Sequence, residues 1–176
     1  MVGDSLSAAY GIREDVGWVA LLQERLRDTG HPHRVVNASV TGDTTAGAHA
    51  RLPAALDEHR PALVVLELGG NDGLRGLSLR AMRENLIEMV RLSRQAGARV
   101  LLLGMRLPPN YGLAYTAAFE RVYRRVAESE ELALVPFFLA GVAETLELMQ
   151  ADGIHPGAAA QPLMLAQVWP ELEALL

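Results

Sequence analysis

Four short apolar runs, Arg34–Ala38, Ala62–Leu68, Ala98–Met105 and Leu132–Phe138, are rich in Leu and Val and are separated by longer segments of helical periodicity. Runs of this length and composition read as buried strands. The clearest helix signal is Ser78 to Gln95, where Leu79, Met82, Leu86, Met89 and Val90 recur at three- and four-residue spacing between a capping serine and Gly97. Further helices are expected at Trp18–Asp28, at Thr45–Glu58 with an interruption at Pro53, at Tyr115–Glu130, and at Ala158–Leu175 with breaks at Pro162 and Pro170. Strands that alternate with helices are joined by right-handed crossovers, which place helices on both faces of a parallel sheet. The expected fold class is therefore α/β, a three-layer α/β/α sandwich.

A chain of 176 residues, half of them apolar, is long enough for one domain with a sizeable core, and no linker, repeat or low-complexity tract divides it; one domain spanning residues 1–176 is expected. The net charge is −5, no basic run occurs and aromatic residues make up 5%, so neither a phosphate-neutralising patch nor a base-stacking platform is present and nucleic acid is not an expected partner. The absence of cysteine excludes disulfides, thiolate metal sites and a cysteine nucleophile. His31-Pro32-His33 offers two ligands without a third at clear spacing, and His49 and His59 read as helix-flank residues, so no metal or cofactor is expected. No apolar run reaches the length of a membrane span, so no stable membrane insertion is expected, and the first residues lack the basic and apolar regions of a signal peptide.

The chemistry is written at the two ends. Near the start, Gly3-Asp4-Ser5 supplies a serine, and near the end Asp152-Gly153-Ile154-His155-Pro156 supplies an acid and an imidazole. Acyl transfer by serine needs a nucleophile, a base and an orienting carboxylate in mutual hydrogen-bond reach, which distant segments can provide. Ser5, His155 and Asp152 are the candidate triad. Asp4, adjacent to the nucleophile, is expected to hold the turn through backbone bonds rather than to serve as the triad acid. Two segments between the ends contain Gly42 and Gly69-Gly70-Asn71-Asp72, and a close-approaching glycine backbone and an asparagine amide are suitable donors for an oxyanion. Ser5, Gly42, Asn71 and the 107–112 segment all fall just past expected strand ends, where open α/β sheets place their ligands.

The joint pattern resembles the four blocks of the GDSL, or SGNH, hydrolase family. The stretches GDSLSAAYGI, VVNASVTGDTTAG, LELGGNDGLRG, LPPNYG, VPFF and MQADGIHP resemble more narrowly its bacterial thioesterase I/lysophospholipase (arylesterase) branch, over nearly the whole chain. The G-x-S-x-G elbow of α/β-hydrolases is absent. The resemblance implies a flavodoxin-like SGNH hydrolase fold with a mainly parallel five-stranded sheet, and an oxyanion hole made by the backbone N–H groups of Ser5 and Gly42 and the Asn71 amide. It implies a serine hydrolase acting through an acyl-enzyme on carboxylic esters and thioesters of medium to long acyl chains, including lysophospholipids, with no cofactor. Leu74, Leu77, Leu107, Pro108 and Tyr111 are the candidate acyl-groove residues, with Leu79, Leu113 and Met149 nearby. A small-acyl or carbohydrate deacetylase and a noncatalytic acyl- or lipid-binding module are the alternatives. The resemblance further implies a periplasmic or secreted protein, and a monomer is expected. Only Met1 and Val2 precede the nucleophile turn, fewer than the roughly 5 residues of an ordinary strand, so an N-terminally truncated first strand is also expected.

Overall fold

The computed structural model describes residues 1–176. Strands β1 (Val2–Gly3), β2 (Leu63–Glu67), β3 (Arg99–Leu103) and β4 (Ala133–Val135) lie side by side in that order, and every neighbouring pair is parallel. The helices are α1 (Trp18–Asp28), α2 (Thr45–His59), α3 (Gly70–Leu74), α4 (Leu79–Gln95), α5 (Leu113–Glu130) and α6 (Gln161–Glu173). Helix α1 packs with α6 to form one layer, while α2, α4 and α5 pack in sequence to form the other. The three-layer parallel architecture expected from the strand and helix alternation is thus present.

The sheet has four strands rather than five. Residues 34–38, expected to form a strand, are extended without a regular ladder. They still run beside β1: the Met1 amino group donates to Val36 O at 2.8 Å, Ala38 N to Met1 O at 2.9 Å and Val40 N to Gly3 O at 3.0 Å. No further ladder bond joins the two segments, and the Ala38 carbonyl accepts from the Arg51 guanidinium. Strand β1 pairs only with Leu66 and Glu67, so the first three residues of β2 extend beyond it.

The core explains the rigidity of the frame. Leu66, Leu101 and Leu102 from the sheet and Met82, Leu86, Met89, Phe119 and Val168 from the helices are fully buried. Side chains of this kind each contribute about 1.5–3 kcal/mol on leaving water. Helix α4 starts where the Ser78 hydroxyl accepts from Ala81 N at 3.3 Å and buries the stripe expected from its periodicity, Met82, Leu86, Met89 and Val90. Helix α2 runs through Pro53 without ending there, because Ala48, Leu52 and Leu56 bury one face and the Thr44 hydroxyl caps Gly47 N. Pro162 lies in the first turn of α6, where a missing N–H costs nothing, and Pro170 sits inside the helix.

Candidate active site

All the candidate reacting groups emerge at the carboxyl ends of the strands. Ser5 follows β1 after one residue, and its turn is held by Ala8 N donating to Asp4 O at 3.0 Å and Tyr10 N to Ser5 O at 3.1 Å. Asp4 completes that turn by accepting from Leu6 N at 3.1 Å, the backbone role expected of it. Asp152 and His155 lie on the loop between β4 and α6. Asp152 Oδ1 accepts from the backbone N–H of Ile154 at 2.9 Å and of His155 at 3.0 Å, while Oδ2 meets His155 Nδ1 at 2.6 Å. The peptide N–H of His155, its imidazole and the Ile154 N–H together hold the Asp152 carboxyl down at about 2.

The structure brings the two chain ends together: His155 Nε2 lies 2.9 Å from Ser5 Oγ. An ionised carboxylate only accepts, so in the neutral ring Nδ1 carries the proton and Nε2 is the lone-pair nitrogen facing the serine hydroxyl. Gln150 ties the two segments, donating from Nε2 to Tyr10 O at 2.8 Å and to Pro156 O at 3.0 Å, and Tyr10 lays its ring 4.5 Å from the imidazole. Ser5 is buried with 8% exposure, whereas Asp152 is open to solvent.

Asn71 is aimed by a turn that only glycine allows. Gly69 has φ +108°, and a Cβ there would lie 2.4 Å from both the Met82 methyl and the Tyr123 hydroxyl. The chain therefore passes from β2 into α3 within two residues, and Asn71 Nδ2 comes to 3.0 Å from Asp4 Oδ2. Gly42 is positioned from α2: Arg51 grips Asp43 Oδ2 through Nε at 2.8 Å and also holds the Ala38 carbonyl. The N–H groups of Ser5 and Gly42 donate to no backbone carbonyl. Asp72 joins these two blocks, accepting from Thr45 N at 2.9 Å and from the Thr45 hydroxyl at 2.6 Å.

The groove candidates are placed unevenly. Leu77, Pro108 and Tyr111 are exposed, Leu74 is half-buried, and Leu107 is buried in the core against Gly73. The Tyr111 hydroxyl donates to Leu74 O at 3.0 Å, stitching the two loops together. None of the five lines a principal cavity, and Leu6, Ala9, Tyr10 and Ile12 close in beside Ser5 and His155 with no room for a water between them. No helix is long and apolar enough to cross a membrane.

Sequence reasoning missed Glu67, although a charge within the apolar run Leu63–Leu68 was a signal for it. Its side chain lies beneath the nucleophile turn: Oε2 accepts from Asp4 N at 3.3 Å and from Ser7 Oγ at 2.8 Å, and Ser7 Oγ in turn accepts from Trp18 Nε1 at 3.2 Å. Gly3 must be glycine because a Cβ would lie 2.8 Å from that same oxygen. Oε1 has no partner, an arrangement that suits a neutral acid. Burial, then the neighbouring Asp4 carboxylate, pushes Glu67 well above the usual range, and burial lifts Asp4 to about 6 against the bonds from Leu6 and Asn71 and the charge of His155. Both shifts have the same sign. The native state holds protons that an unfolded chain, with carboxyls near about 4, has already lost, so their stabilising contribution is complete in acid and declines from about pH 4 through 6 and above. Glu67→Gln, which keeps the shape and cannot titrate, is expected to flatten the fall in melting temperature between pH 5 and 8, followed by circular dichroism. Parallel slopes for the two proteins would clear Glu67 of this role.

Comparison with known proteins agrees with this architecture. Residues 1–162 match the GDSL-like Lipase/Acylhydrolase family. The chain is 60% identical over 176 residues to Esterase TesA of Pseudomonas aeruginosa, covering all of this chain and 88% of that protein. It is 40% identical over 176 residues to Thioesterase 1/protease 1/lysophospholipase L1 of Escherichia coli K12, covering all of this chain and 83% of that one. A crystal structure of TesA superimposes with a TM-score of 0.98 over 99% of this chain and 97% of its own. The family match spans nearly the whole chain and the relatives align over all of it: the chain belongs to the GDSL-like lipase/acylhydrolase family and is an SGNH-type esterase.

Proposed function

We propose that Ser5, His155 and Asp152 form the catalytic triad and that the N–H groups of Ser5 and Gly42 with the Asn71 amide form the oxyanion hole. The observation that carries this reading is the unbroken path from Asp152 Oδ2 to His155 Nδ1 at 2.6 Å and from Nε2 to Ser5 Oγ at 2.9 Å. His155 Nε2 removes the hydroxyl proton as Oγ attacks the acyl carbon, and the carbonyl electrons move to the oxyanion. Collapse of the tetrahedral intermediate expels the alkoxide or thiolate, which takes the proton from His155 and leaves an acyl-enzyme. Water, deprotonated by the same nitrogen, then releases the carboxylate and restores Ser5. Asp152 fixes the ring and stabilises the imidazolium.

The substrates in this reading are esters and thioesters of medium to long acyl chains, including lysophospholipids. The relative from Escherichia coli, whose name includes thioesterase and lysophospholipase, supports it, as do the exposed Leu77, at 44%, and Tyr111, at 37%, on adjoining loops past β2 and β3. The whole of residues 1–176 acts as one domain and as a monomer, in the periplasm or outside the cell. The burial of Leu107 in the core, which shortens the apolar path the groove candidates could offer, favours a second reading, a small-acyl esterase such as a carbohydrate deacetylase.

A panel of acyl esters, acyl thioesters and lysophospholipids of several chain lengths separates the two. Leu77→Ser or Tyr111→Ser is expected to reduce kcat/KM for long acyl chains relative to acetyl esters by about 1–3 kcal/mol, the amount a few lost methylene contacts provide. Equal losses at all lengths would remove both residues from the acyl path, and fastest turnover of acetyl esters would favour the deacetylase.

A further inference from the structure

An asparagine amide fits a hydrogen-bonding site either way round, yet in only one orientation does it offer a developing oxyanion an N–H. The two ends of the Asn71 amide meet partners of opposite kind. Nδ2 donates to Asp4 Oδ2 at 3.0 Å, and Oδ1 accepts from Arg75 Nη2 at 3.4 Å. A carboxylate only accepts and a guanidinium only donates, so both contacts select the same orientation and leave the second N–H of Nδ2 free to point at a ligand. The same Arg75 nitrogen donates to Gly42 O at 2.9 Å, joining the two blocks that the site draws on.

Nothing else in the fold accounts for Arg75. It lies one turn after Asn71, at the end of α3, with its side chain in solvent, and it takes part in none of the chain's ion pairs. Its hydrogen bonds go to the two residues read as oxyanion donors besides Ser5. We propose that Arg75 is a positioning residue for the oxyanion hole: anchored on the Gly42 carbonyl, its guanidinium holds the Asn71 amide in the orientation that presents an N–H to the substrate carbonyl oxygen. The inference rests on the reading of Asn71 as an oxyanion donor.

The test is a double-mutant cycle between Arg75 and Asn71 with a neutral p-nitrophenyl ester. Arg75→Met is expected to lower kcat about 10-fold, the usual consequence of losing charge-assisted bonds that orient a donor, with KM changed less than about twofold and the melting temperature unchanged. Arg75→Lys, which keeps a donor and the charge, is expected to recover about a third of the lost rate. In the Asn71→Ala background the same Arg75→Met change is expected to cost no more than about twofold, because the group it orients has gone. Fully additive losses would overturn the inference while leaving the oxyanion hole intact. An effect on KM confined to substrates with an anionic leaving group, such as acyl-coenzyme A thioesters, would overturn it in favour of ground-state anion binding. Full activity in Asn71→Ala would overturn the oxyanion reading itself, and this inference with it.

Discussion

Ser5→Ala and His155→Ala are each expected to lower kcat by about 10⁴-fold or more while the protein still folds. The magnitude follows from the two groups acting as a unit, since the hydroxyl is a poor nucleophile without a base and the base has no proton to remove without the hydroxyl. Folding should survive because neither side chain supports the frame. The Ser5 hydroxyl meets only His155, and its turn is held by backbone bonds and by Asp4. The loop around His155 is fastened by Gln150 N to His155 O and Gly157 N to Leu148 O, both 2.7 Å, which alanine retains. Steady-state kinetics on a chromogenic ester, with thermal unfolding alongside, checks both halves. A variant that keeps a tenth of the activity would remove its residue from the triad.

Asn71→Ala is expected to cost about 10²–10³-fold, almost entirely in kcat. Its second N–H gains most when negative charge collects on the carbonyl oxygen, so the ground-state complex loses little. The Asp4 carboxylate would lose one of its two bonds, yet Leu6 N still holds Oδ1, so the nucleophile turn should remain in place. A change in KM at constant kcat would instead make Asn71 a substrate-binding group. Measuring both constants over a full substrate range decides between them.

The sequence revealed most where local rules govern. Helix α1 occupies the expected residues, and α4 begins at the serine that its periodicity marked. Short blocks of polar residues at strand ends also located Ser5, Gly42, Asn71, Asp152 and His155, because a parallel sheet gathers such segments at one edge whatever their separation along the chain. What escaped was set by cross-chain accounting. Residues 34–38 have strand composition and run beside β1, but their bonds to it stop short of a regular ladder, and the Ala38 carbonyl accepts from an arginine of α2, a contact no local pattern announces. Asp72 fastens the start of α2 to α3 through Thr45, a pairing between segments that no local pattern marks. Glu67 and Arg75 escaped for the same reason: their meaning lies in which atoms they face, and those atoms belong to other segments.

The proposed nucleophile and base, Ser5 and His155, stand 150 positions apart along the chain. Because ribosomes work from the amino terminus, the serine is made well before the imidazole proposed to arm it, which follows only after all four strands have been synthesised. Throughout that interval, on this mechanism, the growing polypeptide carries a hydroxyl with no base beside it. On the proposed mechanism hydrolysis begins only once the segment carrying residue 155 has been made and folded, so a product stalled before it is expected to spare the acyl compounds around it.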